Sequence, residues 1–145
     1  MSELKCHDSA ICAQSPERPL PGLLSLVIPC YNEEAVIEAT HARVCSIAPS
    51  LGMQMEIIYI DDGSKDNTLE KLKHLATGDS RIVVLELSRN FGQQAAMSAG
   101  LETAKGDAVV IIDADLQDPP EVILEMVAKW RTGIDVAYGR RKSRD

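Results

Sequence analysis

Four short apolar runs rich in β-formers, each leading into a segment with helical periodicity, constrain this chain more than any other feature. The runs are Leu23–Pro29 (LLSLVIP), Met55–Ile60 (MEIIYI), Arg81–Leu87 (RIVVLEL) and Ala108–Ile112 (AVVII). The last is apolar throughout, the pattern of a central parallel strand covered on both faces. Ile134–Tyr138 predicts a fifth strand. Between the runs, Val36, Ile37, His41, Val44 and Ile47 recur at helical spacing up to Pro49, and Leu69, Leu72 and Leu75 mark a second helix. Ala95, Ala96, Ala99 and Gly100 give a third helix an unusually small face, and Val122, Ile123, Met126, Val127 and Trp130 form the stripe of a fourth. Asn32 is expected to cap the first helix, with Glu33 and Glu34 at its positive end, and Ser64 the second. Asp118 is expected to cap the fourth, with Pro119 in the first position and Glu121 completing a capping-box-like pair. Strands alternating with helices over short connections imply an α/β fold, a doubly wound and mostly parallel sheet with flanking helices.

Composition narrows the function classes. With 45% hydrophobic residues the chain is not a disordered one, and its apolar runs fall short of the ~20 residues that span a bilayer. Met1–Pro21 carries Glu3, Lys5, His7, Asp8, Glu17 and Arg18 and does not read as a signal peptide. Pro16, Pro19 and Pro21 suggest an extended tail over residues 1–22, ahead of one domain over 23–145. Cys6, Cys12, Cys30 and Cys45 form no CxxC pair and read as reduced thiols of a cytoplasmic protein. The net charge of −7 argues against nucleic acid as a partner. An acidic chain still takes a polyanion when a divalent metal bridges the two.

Ligands of such sheets bind at the carboxyl ends of the strands. Here the strand ends read Tyr31-Asn32-Glu33, Asp61-Asp62-Gly63-Ser64, Arg89-Asn90 and Asp113-Ala114-Asp115. All four are polar, and two carry paired carboxylates. No GxGxxG follows the first strand and no GxxxxGK[ST] occurs, which argues against a dinucleotide fingerprint and a P-loop. Asp113 and Asp115 offer another way to hold phosphate. Two carboxylates one residue apart at a strand end can face one cation, and hard oxygen ligands favour Mg²⁺ or Mn²⁺. The metal then takes phosphate oxygens in its open positions and stabilises charge on a departing diphosphate.

Val27-Ile-Pro-Cys-Tyr-Asn-Glu-Glu34, Ile60-Asp-Asp-Gly-Ser-Lys-Asp66, Arg89-Asn-Phe-Gly92 and Asp113-Ala-Asp-Leu-Gln-Asp-Pro-Pro120 occur in this order. The series resembles family 2 glycosyltransferases of the GT-A fold, and within them the polyprenyl-phosphate branch of dolichol-phosphate mannosyltransferases and undecaprenyl-phosphate glycosyltransferases. The resemblance implies a GT-A, Rossmann-like sheet, truncated after about the fifth strand. It implies that Pro29, Tyr31, Asn32 and Glu33 line a nucleotide pocket, with Glu33 near the ribose or base. It further implies that Asp61 accepts a hydrogen bond from the base, that Asp62 lies beside the diphosphate, and that Arg89 and Asn90 face the sugar diphosphate or order its loop. Asp113, Ala114 and Asp115 would complete the donor site, with Asp113, Asp115 and Gln117 as metal ligands; Lys65, Asp66 and Gln93 are weaker candidates.

The activity so implied is metal-dependent, inverting transfer from a UDP- or GDP-sugar to a polyprenyl phosphate. The expected location is the cytoplasm or the cytoplasmic face of a membrane. The resembling catalytic domains continue past residue 145 into acceptor-side and membrane-facing segments. The chain is therefore expected to hold the donor half, and turnover by it alone is not expected. A non-catalytic nucleotide-sugar-binding module is the alternative. A sugar nucleotidyltransferase fits less well, because Pro29-Cys-Tyr-Asn-Glu33 stands where that class has a glycine- and arginine-rich loop. The basic run over residues 140–144 is a candidate for peripheral contact with anionic lipid.

Overall fold

The computed structural model of the protein describes residues 2–6, 17–117 and 119–141. They fall into two compact units, one made of Pro21–Gln117 and the other of the segments on either side of it in sequence.

In the larger unit, β2 (Leu23–Cys30), β3 (Gln54–Asp61), β4 (Ile82–Glu86) and β5 (Ala108–Ile111) form one parallel sheet in the order β4-β3-β2-β5. Three helices connect them: α1 (Ile37–Leu51), α2 (Thr68–Gly78) and α3 (Gln93–Thr103). Strands β2 and β3 are apolar on both faces because helices cover both. Leu24, Leu26, Ile28, Ile57, Ile58 and Ile60 are each 0% exposed, and such burial is worth about 1.5–3 kcal/mol per side chain. Val27, Ile58 and Ile60 face α3, packing with its Ala96. Tyr59 points to the opposite face, where its hydroxyl meets His41 of α1. The small face read from the sequence is what lets α3 approach the sheet. A Cβ on Gly100 would stand 2.4 Å from Val27 Cγ1 and 2.8 Å from Ile60 Cδ1.

The amino-terminal ends of β2 and β5 are pinned by polar contacts. Ser25 Oγ donates to Glu56 Oε1 (2.6 Å) and accepts from the Gly106 N–H (2.8 Å). Asp107 Oδ2 accepts from the Gly22 N–H at 2.8 Å. These bonds satisfy a serine that the sheet buries completely.

The smaller unit contains β1 (Ser2–Cys6), α4 (Val122–Arg131) and β6 (Ala137–Arg141), with β1 antiparallel to β6. Arg18 lies over the Trp130 ring at 4.8 Å and donates to the carbonyls of Trp130, Gly133 and Ile134. It thereby ties residue 18 to the turn after α4, where the Trp130 carbonyl also accepts the Gly133 N–H at 3.0 Å. No helix of the described residues is long and apolar enough to cross a membrane.

Several expectations are corrected. The fifth predicted strand lies at Ala137–Arg141 and joins the two-stranded ladder instead of the parallel sheet. Residues 2–6 and 17–18, read as tail, are strand and helix-end partner; both roles depend on residues over 110 positions away, which local pattern cannot reveal. β5 is an edge strand among the described residues, with Val109 38% and Ile111 41% exposed, although its sequence reads as central. α1 begins at Ile37 after Val36, so Asn32 does not cap it, and α2 begins at Thr68 after Asn67, so Ser64 does not cap that helix. Both side chains are diverted to a loop–loop contact described below. Asp118 lies outside the described residues.

Replacing Gly100 with valine should overpack the α3–sheet contact. Urea unfolding should show a loss of about 1–3 kcal/mol at unchanged slope.

Candidate functional site

β2 pairs with β3 on one side and β5 on the other, so the winding of the chain reverses between β2 and β5. At such a switch point the loops leaving the two strands diverge and open a crevice. A cavity of about 470 Å³ lies there. Its walls are Pro29, Cys30, Tyr31 and Glu33 from the end of β2, Asp62 from β3, and Asn90, Gly92 and Gln93 ahead of and at the start of α3. Asp113, Ala114, Asp115 and Gln117, after β5, complete them.

The loops are fixed by their own polar groups. Asp62, 3% exposed, accepts the Phe91 N–H on Oδ1 (2.8 Å) and the Gly92 N–H on Oδ2 (3.1 Å). A carboxylate there also faces the positive end of α3, which stabilises it further. The neighbouring Gly63 has φ of +68°, and a Cβ on it would stand 2.4 Å from the Arg89 carbonyl carbon and the Asn90 nitrogen. Two loops thus meet backbone to backbone, which only glycine permits. Asn32, itself left-handed at φ 52°, donates its N–H to Ser64 Oγ (3.0 Å) and accepts the Lys65 N–H on Oδ1 (2.8 Å). Asp66 accepts the Thr68 hydroxyl (2.5 Å) and the N–H groups of Thr68 (3.0 Å) and Glu34 (3.3 Å), and these bonds outweigh burial and hold its carboxyl below the ordinary range. Thr40 of α1 donates to the Ala114 carbonyl at 2.5 Å and so anchors the Asp113–Asp115 loop.

The site is acidic. Burial, and then the charges of Asp115, Asp66 and Asp113, raise Glu33 above the usual carboxylate range. Gln117 Nε2 donates to Asp115 Oδ2 at 3.0 Å. Asp61 is 2% exposed; its Oδ2 accepts the Ser64 N–H at 3.3 Å, while Oδ1 has no partner among the described residues. A buried carboxylate oxygen without a donor is costly and rare.

Of the residues singled out from the sequence, Pro29, Tyr31, Glu33, Asp62, Asn90, Asp113, Ala114, Asp115 and Gln117 line the cavity. Asn32, Asp61 and Arg89 do not. Asn32 belongs to the loop–loop contact, and the Arg89 guanidinium lies 4.0 Å over the ring of the exposed Phe91, so both order loops. What the structure shows of Gln117 is a donor to Asp115. The cavity adds Cys30 and Gly92, which sequence reasoning passed over, and Gln93, which it ranked low. Cys30 stands next to Pro29 in a strand that reads as core, so no chemical signal marked it. Gly92-Gln93 carried one: a glycine–amide pair opening a helix after a polar loop.

Residues 25–145 match the description Glycosyl transferase family 2. The chain is 43% identical over 121 residues to a bactoprenol glucosyl transferase of Shigella phage SfV, covering 83% of this chain and 39% of that one. It is 46% identical over 123 residues to an undecaprenyl-phosphate 4-deoxy-4-formamido-L-arabinose transferase of Aeromonas hydrophila, covering 84% and 38%. Among solved structures it is similar to a mannosyltransferase of Pyrobaculum calidifontis in complex with GDP-Man and Mn²⁺. There the TM-score is 0.63 at 21% identity, covering 83% of this chain and 34% of that one. The chain belongs to glycosyltransferase family 2, and its fold is the GT-A type. It spans about two-fifths of the length of the curated relatives it matches.

Asp62→Asn should loosen the loop ahead of α3, because one of the two N–H donors then faces an amide NH₂. Thermal unfolding should register a loss of about 1–3 kcal/mol.

Proposed function

We propose that the cleft between β2 and β5 binds a nucleoside diphosphate sugar through a divalent cation held by Asp113 and Asp115. On this reading the chain is the donor side of a glycosyltransferase whose acceptor is a polyprenyl phosphate. The observation that carries the proposal is the convergence of Glu33, Asp113 and Asp115 on one cavity at the switch point. Carboxylates held together by a fixed backbone repel one another. A small hard cation relieves that repulsion, and the oxygen donor set fits Mg²⁺ or Mn²⁺. The names of the relatives support the lipid acceptor, and the mannosyltransferase complex with GDP-Man and Mn²⁺ supports the donor class and the metal.

The residues then divide the work. Asp113 and Asp115 hold the cation, and Gln117 orients the Asp115 carboxylate by donating to it. Asp61, next to the cavity-lining Asp62 and with no partner for Oδ1 among the described residues, would accept an N–H of the nucleobase once the ligand displaces the side chains that cover it. Pro29, Tyr31 and Glu33 wall the nucleotide on the β2 side, and Asn90 and Gln93 face it from the α3 side. Asn32, Asp62 and Arg89 keep the walls in place. When bound, the metal supplies Lewis acidity that stabilises charge on the leaving diphosphate.

An oxygen of the lipid phosphate forms its bond to the anomeric carbon as the bond from that carbon to the diphosphate oxygen breaks, with inversion. The acceptor is already an anion, so the step needs no general base. On this reading the chain works at the cytoplasmic face of the membrane that holds the lipid.

Isothermal calorimetry with UDP and GDP tests the reading. One of them should bind in the presence of Mn²⁺, and chelation or Asp115→Ala should reduce binding below detection. Equal affinity with and without the metal would contradict the proposal.

A further inference from the structure

Outside the cleft, on the face of the sheet that carries α1, three ligand atoms of different chemistry converge. His41 and Cys45 stand four residues apart on α1, and therefore on one side of it. Asp79 follows α2 directly. His41 Nε2 lies 3.2 Å from Asp79 Oδ2 and 3.3 Å from Cys45 Sγ. Cys45 Sγ lies 3.8 Å from Asp79 Oδ2. With metal–ligand lengths of about 2.0–2.3 Å, a tetrahedral ion needs edges of about 3.3–3.6 Å between nitrogen, sulfur and oxygen ligands. The three separations meet that triangle to within about 0.3 Å before any metal is present.

We propose that His41 Nε2, Cys45 Sγ and Asp79 Oδ2 form a second metal site, separate from the cleft, for a divalent ion of the zinc class. The fourth position is left to water. The donor set separates the two sites chemically: a thiolate and an imidazole select Zn²⁺ or Co²⁺, whereas the carboxylates of the cleft suit Mg²⁺ or Mn²⁺.

Two of the ligands are held in place by outer groups, as in a metal site, and one cationic nitrogen must give way to the ion. The fully buried Tyr59 hydroxyl lies 2.8 Å from His41 Nδ1 and fixes the ring with Nε2 turned to the other two ligands. Asp79 Oδ1 accepts from the Arg81 N–H (3.0 Å) and Nε–H (2.9 Å), which aims Oδ2 at His41 and Cys45. Arg81 Nη2 stands 2.7 Å from Asp79 Oδ2 and 3.3 Å from Cys45 Sγ, so a positive charge already bridges two of the three ligands. The Arg81 side chain is 36% exposed and has room to withdraw Nη2 while Nε keeps Oδ1. Uptake of the metal releases the thiol proton of Cys45 to solvent. The bound ion ties α1 to the connection between α2 and β4.

The test is titration of the full chain with Co²⁺ under reducing conditions, following the thiolate-to-cobalt charge-transfer band in the near ultraviolet. The expected result is one equivalent of Co²⁺ giving the band, displaced by Zn²⁺ and retained when Asp113 and Asp115 are both replaced by alanine. Cys45→Ser should lose the band, and Tyr59→Phe, which keeps the packing, should weaken Co²⁺ binding about tenfold or more. Absence of the band in the wild-type chain would overturn the proposal. So would a band of undiminished strength in Cys45→Ser, which would assign the thiolate to another cysteine.

Discussion

The double pairing of β2, hydrogen-bonded to β3 along one edge and to β5 along the other, decides where everything else in this chain can sit. The parallel ladders bring all four strand ends to one edge. The reversal of winding at β2 then separates two of the loops and leaves a crevice between them. Close approach of α3 through Ala96 and Gly100 holds the sheet from one face and α1 from the other. The loops need little freedom once they leave that frame. Asp62 is bonded to the backbone ahead of α3, Gly63 touches the Arg89–Asn90 backbone, and Asn32 clasps the β3–α2 loop. Thr40 fixes Ala114 between the two aspartates.

This rigidity gives the acidic cluster its meaning. In a flexible loop Glu33, Asp113 and Asp115 would move apart. Fixed around one cavity, they stay together, and burial with the added charges of Asp115, Asp66 and Asp113 holds Glu33 above the usual carboxylate range. The chain's net charge of −7 bears on the same point. An acidic protein is a poor direct partner for a diphosphate, and a cation on Asp113 and Asp115 turns the charge balance at the site from repulsion to attraction. The His41–Cys45–Asp79 cluster follows a different rule, with mixed donors and its own supporting arginine, which is why the two sets are expected to select different metals.

Much of the fold was legible in the sequence, because hydrophobic runs and helical spacing respond to burial, and burial is what parallel strands and their helices share. The strands from Leu23, Met55, Arg81 and Ala108 lie within a residue or two of their observed positions. Helix starts were less legible. Asn32 and Ser64 are good capping residues by type, but they bond across two loops instead, and no local rule tells a cap from a cross-link. The ladder of residues 2–6 with 137–141 rests on pairing across nearly the whole chain, and the role of Arg18 on a helix end remote in sequence. In the cleft, acidic and aromatic residues at strand ends were readable from chemistry. The unpaired oxygen of Asp61 and the donor role of Gln117 depend on orientation, which sequence does not carry.

The central claim is that the switch-point carboxylates bind a nucleotide by way of a divalent cation. Crystals of this chain grown with Mn²⁺ and UDP or GDP, measured at the manganese absorption edge, test it most directly. The account predicts one anomalous peak beside the carboxylates of Asp113 and Asp115 in the nucleotide-bound cleft, with the base directed toward Asp61. Nucleotide bound in the cleft with no manganese peak beside those aspartates would contradict it.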